Sequence, residues 1–166
     1  MHIHGATAVI DGEIKKQVCI KAVDGFITAI STNCSETPDS NHAGTLIPGF
    51  VDIHSHGGGG FYFSDLSPEN VAAARNTHLA CGTTTHIASL VTEPIGVLEE
   101  QILRLLPMVN AGVFEGIHLE GPYLSHARCG AHEPTLLRSP TIAELSALID
   151  AGQGSISMVT LAPELD

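Results

Sequence analysis

Alternation of apolar and polar residues near the N-terminus predicts short β-strands joined by tight turns. Two Asp-Gly pairs, at 11–12 and 24–25, separate strand-like segments at 6–10, 17–23 and 26–30. An Asp-Gly pair between two such segments is a strong signal for a two-residue hairpin turn. Strands of this length need partner strands to be stable. The polar segment that follows, up to Gly44, predicts a surface loop.

After Pro48 the pattern changes to strands that alternate with amphipathic helices. In chain order it predicts strand 50–56, helix 68–81, strand 83–91, helix 95–106, strand 113–120, helix 140–149 and strand 156–161. Repeated βα units predict an α/β fold with a parallel sheet and right-handed crossovers. Four such strands fit a small doubly wound sheet or half of an eight-stranded barrel. A closed barrel takes about 250 residues, so length alone favours the small sheet.

Composition excludes several classes of protein. The 166-residue chain is 43% apolar and 15% charged, which supports a folded core and argues against intrinsic disorder. Its formal net charge of −11 makes nucleic acid and anionic membranes poor partners. No apolar run approaches the roughly 18 residues of a membrane span, and the N-terminus does not resemble a signal peptide. Cys19, Cys34, Cys81 and Cys129 show no CxxC spacing, so we expect four reduced thiols in a soluble cytoplasmic protein.

Two histidines stand at alternate positions near the end of the predicted strand 50–56. Side chains at i and i+2 share a face of a strand, so His54 and His56 point together at the edge where parallel α/β folds place active sites. Val51 and Ile53 are then expected to point into helix packing. Two imidazoles followed by four glycines suit a divalent metal with nitrogen ligands. Taken alone, the pair is equally well explained as two partly exposed histidines.

A carboxylate follows at the same level, two predicted strands later. His118 and Glu120 share one face of strand 113–120, while Ile117 and Leu119 pack on the other. Glu120 precedes a Gly-Pro turn, and a buried carboxylate at such a place is costly unless it is paired or binds a metal. This position favours a ligand role for Glu120 over that of a solvated rim residue. We expect His118 to support the ligands rather than to be one.

Four segments together resemble the N-acetylglucosamine-6-phosphate deacetylases of the amidohydrolase superfamily. They are PGFVDIHSHG at 48–57, HLEGP at 118–122, RCGAH at 128–132 and VTLAPE at 159–164. The first alone marks only the superfamily, whereas the order and spacing of all four are specific. The resemblance implies a partial amidohydrolase-type (β/α)₈ barrel at 47–166, preceded at 1–46 by part of a small β-sandwich domain. It covers the whole chain but only about the first half of a family member.

The resemblance also implies a set of site residues. Glu120 would bind a divalent metal, and His54 and His56 would complete a binuclear site in the intact enzyme. Zinc is the expected metal, with iron or another divalent ion as alternatives. Ala131 and His132 match positions that contact the amino-sugar substrate. The family's two further metal-binding histidines, its catalytic Asp and an Arg that reaches a neighbouring subunit's phosphate match positions beyond Asp166.

The implied activity of the full-length protein is metal-dependent hydrolysis of the acetamide of N-acetylglucosamine 6-phosphate to glucosamine 6-phosphate and acetate. This hydrolase would serve amino-sugar metabolism, as a homodimer. Without the catalytic Asp, the fragment is expected to be inactive alone. Two alternatives stay open: another metal amidohydrolase, dihydroorotase-like or an N-acyl amino acid deacylase, and a non-catalytic metal-binding fragment.

The segment 123–138 is expected to form a loop over the same edge of the sheet. It carries Arg128, His132 and Arg138, an excess of donors for a phosphorylated N-acetyl amino sugar in a protein of net charge −11. His86 is expected to be a strand residue satisfied by its neighbours, and His78 to have a local packing role.

Overall fold

The computed structural model describes residues 1–165 and shows two compact units, Met1–Pro48 and the part of the chain from Gly49 onward. Among the described residues, no helix is both long and apolar enough to cross a membrane. The first unit is a four-stranded sheet in the order β3-β2-β1-β4. Its strands are β1 (His2–Ile10), β2 (Glu13–Val23), β3 (Phe26–Ser31) and β4 (Ser40–Leu46).

The two Asp-Gly pairs form the hairpin turns that the sequence predicts. Asp11 and Gly12 have φ values of 52° and 77°, and Asp24 and Gly25 have 50° and 82°. Both central residues of a type I′ turn require positive φ, which glycine adopts freely and aspartate tolerates. These turns join β1 to β2 and β2 to β3 as antiparallel pairs.

Strand β4 lies where the sequence predicted a surface loop, so that prediction was wrong for residues 40–44. The strand pairs in parallel with β1, in a register that sets Ile3 beside Ser40 and His4 beside Asn41. Its residues are mostly polar or small and largely exposed, so no apolar alternation marks it. Backbone hydrogen bonds to the free edge of β1 form this strand.

Two of the four cysteines form a disulfide bond, which corrects the expectation of four reduced thiols. Cys19 in β2 and Cys34, after β3, are joined across a separation of 15 residues, with Cα atoms 5.6 Å apart. This Cα separation lies in the usual range for a disulfide. The hairpin brings the two residues together, and their spacing in the sequence carries no sign of it. Cys81 and Cys129 are free.

The second unit contains repeated βα units. Its elements are β5 (Phe50–Ser55), β6 (Gly57–Gly58), β7 (Phe61–Tyr62), α1 (Pro68–Ala80), β8 (Thr83–Leu90), α2 (Ile95–Asn110), β9 (Gly116–Glu120), α3 (Ile142–Ala151) and β10 (Ile156–Thr160). The main sheet is parallel in the order β10-β9-β8-β5. The predicted α/β fold with a parallel sheet is confirmed. The short pair β6–β7 forms a separate antiparallel ribbon.

The ends of two helices differ from the predicted ones. Helix α1 begins as expected, with Ser67 Oγ accepting a hydrogen bond from the Asn70 N–H. Helix α2 continues through Pro107 to Asn110, where the Ala111 N–H bonds to the Pro107 carbonyl. Helix α3 begins at Ile142 rather than Pro140, because Thr141 is the residue whose side chain caps it.

The core of the second unit lies between one face of the sheet and the helices. Ile117 and Leu119 of β9 pack with Leu98, Ile102 and Leu105 of α2, and all five are buried. Their spacing on each element matches the predicted apolar faces.

Val51 and Ile53 do not join this core, which corrects their predicted orientation. Their side chains are 64% and 52% exposed. Strand β5 pairs irregularly with β8 between Asp52 and Ser55. Both Asp52 and Ser55 approach His86 on the core side, so the strict alternation assumed from the sequence does not hold along β5.

A buried histidine occupies the centre of an aromatic cluster in this core. The His86 ring makes edge contacts with Phe63 and Phe114, at centroid distances of 5.0 and 5.8 Å. Its Nε2 shares a 2.5 Å hydrogen bond with Ser55 Oγ, whereas its Nδ1 is buried without a partner. Burial is the largest effect on the pKa of His86 and lowers it. The nearby Asp52 carboxylate raises this pKa, whereas His78 and Arg75 lower it further.

We predict that replacing His86 with Phe makes stability less dependent on pH. In the wild type, the unfolded chain binds a proton near pH 6.5 and the folded chain only below that. Stability is therefore full above about pH 6.5 and falls as the pH drops toward the folded-state pKa, by about 1.4 kcal/mol per unit of pKa difference. Urea denaturation between about pH 7 and 5 measures the slope, with the exposed His126→Gln as control. Equal slopes in His86→Phe and wild type would show that His86 does not cause the pH dependence of stability.

Candidate metal site

Three side chains from two strands converge at the C-terminal edge of the parallel sheet. His54 lies near the end of β5, His56 directly follows that strand, and Glu120 is the last residue of β9. Glu120 Oε2 lies 2.9 Å from His54 Nε2 and 2.8 Å from His56 Nε2. Strand β8 separates the two strands. The structure thus brings together all three residues that the sequence predicts as metal ligands.

The hydrogen bond on the far side of His56 shows which of its nitrogens is available. His56 Nδ1 lies 3.2 Å from the Ser89 carbonyl oxygen, which can only accept a hydrogen bond. Nδ1 therefore carries the proton, and in the neutral ring Nε2 presents a lone pair to the Glu120 carboxylate. Two acceptors at 2.8 Å need a proton or a cation between them. A histidine that donates its other N–H to a carbonyl is the arrangement typical of metal-bound imidazoles.

Glu120 combines partial burial with several nearby imidazoles. Burial opposes ionisation of its carboxyl group, but the hydrogen bond from His54 and the charges of His54, His132 and His56 outweigh that effect. They hold the pKa of Glu120 below its ordinary value, so the group is an anion at neutral pH. An ionised carboxylate and two imidazoles form a donor set that suits zinc or another borderline divalent ion. The residues present fit a metal.

His118 packs against one of the candidate ligands and has no free nitrogen of its own. Its Nδ1 is 3.0 Å from Ser89 Oγ and its Nε2 is 2.8 Å from Thr160 Oγ1. The ring is buried and lies edge-on to the His54 ring at a centroid distance of 4.9 Å. Burial and the neighbouring His54 lower its pKa, which keeps it neutral. His118 therefore positions His54 by contact.

The loop between β9 and α3 covers the same edge. Residues from this loop, including Arg128, Ala131 and His132, line a cavity of about 680 Å³ together with His54, His56 and Glu120. His132 Nε2 lies 3.6 Å from Glu120 Oε1, and its Nδ1 lies 2.7 Å from Thr92 Oγ1. The structure places both predicted substrate-contact residues beside the three candidate ligands.

Arg138 does not belong to this group of donors, contrary to the expectation from the sequence. Its guanidinium lies 2.9 Å from Glu144 Oε2, on helix α3. The same carboxylate accepts a hydrogen bond from the buried Tyr123 hydroxyl. Burial and Glu144 raise the pKa of Tyr123, so its proton stays in this bond. Arg138 therefore ties the loop to α3, and Arg128 is the arginine that reaches the cavity.

Sequence reasoning missed two supporting residues, Ser89 and Thr92. Ser89 contacts His56 through its carbonyl and His118 through its hydroxyl. Thr92, two residues after the end of β8, contacts His132 through its hydroxyl. Their position at or just after the end of β8, the strand between the two that carry the candidate ligands, is a signal that could have identified them.

Comparison with known proteins identifies relatives over nearly the whole chain, although no family model matches. The chain is 31% identical to an N-acetylgalactosamine-6-phosphate deacetylase from Shewanella sp. (strain ANA-3), over 96% of this chain and 43% of that protein. It is 29% identical to an N-acetylglucosamine-6-phosphate deacetylase from Bacillus subtilis (strain 168), over 95% of this chain and 43% of the relative. The chain therefore spans less than half the length of these curated relatives.

A solved structure shows the same fold. The crystal structure of N-acetyl-D-glucosamine-6-phosphate deacetylase from Mycobacterium smegmatis superposes with a TM-score of 0.91 at 41% identity. The match covers 99% of this chain and 47% of that one. A further structure of a mutant of that protein is a complex with N-acetyl-D-glucosamine-6-phosphate. The chain has part of the amidohydrolase fold.

We predict that removing the Glu120 carboxylate abolishes tight metal binding at this site. Glu120→Gln keeps the shape of the side chain but removes the negative charge that lies against both imidazoles. Loss of a residue that only supports a ligand lowers metal affinity by about 10–100-fold, so loss of a ligand should lower zinc affinity by more than that. Zinc titration against a chelating dye measures the affinity, on protein with the Cys19–Cys34 disulfide intact. Glu133→Gln, on the covering loop, is the control. Equal zinc affinity in both variants would contradict the assignment.

Proposed function

We propose that this chain, a partial counterpart of the N-acetylglucosamine-6-phosphate deacetylases, supplies the part of such an enzyme that holds the metal and covers the substrate. The relatives that match it are named as deacetylases of 6-phosphorylated N-acetyl amino sugars. The reaction proposed for the whole protein is hydrolysis of the acetamide of N-acetylglucosamine 6-phosphate to glucosamine 6-phosphate and acetate.

The observation that carries this proposal is the meeting of Glu120 with His54 and His56 at the end of the strands. These three residues would hold the metal, zinc first and iron or another divalent ion as alternatives. A divalent metal, when bound, supplies Lewis acidity toward the amide carbonyl and acidifies water. We propose a binuclear site in the whole protein, with further ligands outside this chain.

The remaining residues of the site orient ligands or contact substrate. Ser89 fixes the tautomer of His56 through its carbonyl, and His118 packs against the His54 ring. His132 and Ala131 line the cavity where the sugar would lie, and Arg128, the arginine among its lining residues, would meet the phosphate. The acid–base role, which the family resemblance gives to an Asp beyond Asp166, has no candidate among these residues. Two further parts of the proposal are a homodimer and a cytoplasmic location.

A second candidate substrate is N-acetylgalactosamine 6-phosphate, the 4-epimer of the first. The Shewanella and Escherichia coli O157:H7 relatives, each 31% identical, are named for that sugar. Both substrates carry the same acetamide and the same phosphate, so the three candidate ligands would serve either. Discrimination would fall to groups that reach the sugar hydroxyls from the covering loop.

The activity can be tested in a chimera. Residues 1–166 would be joined to the part of the Mycobacterium smegmatis deacetylase that this chain does not cover. We expect metal-dependent release of acetate from N-acetylglucosamine 6-phosphate, reduced by about 100-fold or more in Glu120→Gln and unchanged in Glu133→Gln. Parallel assays with the galactosamine epimer identify the preferred sugar. A folded, metal-loaded chimera that releases no acetate from either sugar would refute the proposal.

In the same chimera, His132→Ala is expected to raise KM by roughly tenfold, the effect of losing one hydrogen bond to a charged group. Its effect on kcat should be smaller, because His132 contacts Glu120 only from the loop side. His126→Ala, an exposed residue of the same loop, is the control. An unchanged KM for the phosphorylated sugar would exclude a substrate-contact role for His132.

The chain by itself is expected to show no deacetylation above that of the free metal. Without a positioned acid–base group, proton transfer worth typically about 10²–10⁴-fold is absent. Acetate release is measured from the isolated chain with added zinc. Robust, metal-dependent turnover by residues 1–166 alone would contradict the expectation that the base lies outside them.

A further inference from the structure

A second set of metal-ligating side chains lies in the first unit, on strands that carry no part of the candidate site described above. His2 and His4 share one face of β1, and Cys19 lies opposite His4 in the β1–β2 register. One ligand atom from each of His2, His4 and Cys19 lies within 4.8 Å of the other two. The two imidazole rings meet edge to face at a centroid distance of 5.0 Å.

The imidazoles of this set have nitrogens that nothing in the described chain satisfies. His2 Nδ1 and His4 Nε2 are both buried, and neither has a hydrogen-bond partner. The nearest carboxylate oxygen, Glu36 Oε2, is 3.8 Å from His2 Nδ1, beyond hydrogen-bond distance. Buried polar groups are normally paired, so two orphaned nitrogens side by side indicate a missing common partner.

Cys34 adds a fourth donor at the same place, because its sulfur is bonded to that of Cys19. Two imidazole nitrogens and two sulfurs are the donor set of closed tetrahedral zinc sites. We propose that the reduced form of this unit binds a zinc-like divalent cation through His2, His4, Cys19 and Cys34. The disulfide is the alternative, metal-free state of the same four side chains.

The two states are related by a balanced two-electron exchange. A dithiol reductant breaks the Cys19–Cys34 sulfur–sulfur bond, gives two electrons and two protons to the sulfurs, and becomes a disulfide itself. Zinc then replaces one proton on each thiol and takes lone pairs from His2 and His4, so two protons are released. Reducing compartments keep cysteines as thiols, which favours the metal-bound state there.

Cobalt(II) is the probe for this site, because a thiolate ligand gives a charge-transfer absorption that nitrogen and oxygen ligands do not. The whole chain is reduced with a phosphine, which does not compete as a thiol ligand, and titrated with cobalt. We expect the sulfur-to-cobalt charge-transfer band to saturate at one equivalent per chain in Glu120→Gln, in which the other candidate site is impaired, and by two equivalents in the wild type. The oxidised chain should show no charge-transfer band.

Variants identify the ligands. Cys34→Ser and His4→Gln should each weaken cobalt binding by at least about tenfold, whereas Cys81→Ser and His42→Gln, exposed residues outside the set, should leave it unchanged. Cys34 is itself exposed, so its replacement leaves the packing of the sheet in place. Glu120→Gln should leave the band intact, since none of the three candidate ligands His54, His56 and Glu120 is a sulfur. Absence of a band in the reduced chain, or its persistence in both Cys34→Ser and His4→Gln, would overturn the proposal.

Discussion

Parallel pairing of β5, β8 and β9 is the constraint on which the candidate site depends. It brings the carboxyl ends of three strands to one edge, so that residues 66 positions apart meet at hydrogen-bond distance. The middle strand provides none of the three candidate ligands, yet its Ser89 contacts histidines from both neighbours. The sheet thus sets the orientation of the candidate ligands, because paired strands hold side chains more rigidly than a loop does.

The electrostatic balance of the site follows from that geometry. A carboxylate drawn partly out of water is destabilised unless cations or donors approach it, and three imidazoles surround Glu120. Without a metal, protons on the imidazoles must fill that role. A divalent cation would satisfy the carboxylate and both lone pairs together, and would leave the Nδ1–H of His56 bonded to the Ser89 carbonyl. One divalent ion would thus take the place of the separate protons on the imidazoles.

Much of this arrangement could be predicted from the sequence, because strand ends in a parallel sheet share one level. His54 and Glu120 were identified from their position before glycines at such ends, and the structure brings them together. The orientation of Val51 and Ile53 could not be predicted, since irregular pairing after Asp52 breaks the alternation. The ion pair of Arg138 with Glu144 could not be predicted either, because it depends on how helix α3 packs beside the loop. The local pattern thus predicted the alternating strands and helices of the second unit, whereas contacts between distant segments became visible only in the fold.

The disulfide and strand β4 show the same limit in the first unit. The spacing of Cys19 and Cys34 does not mark the disulfide, because the β2–β3 hairpin brings the two residues together. The polar sequence of β4 does not mark a strand, because β4 forms by pairing with the free edge of β1. That free edge of β1 receives β4, while the loop after β3 returns Cys34 to the face that holds His2 and His4.

The two oxygens of Glu120 face different parts of the second unit, and under the proposed function this division would separate chemistry from recognition. Oε2 meets His54 in β5 and His56 just after it, whereas Oε1 faces His132 on the covering loop. A change in the loop therefore alters what lies over the carboxylate without moving the strand that holds the imidazoles. Relatives named for two epimeric sugars fit this division, since the acetamide to be cleaved is the same in both. The strands would hold the hydrolytic metal, and the loop would adapt to the sugar.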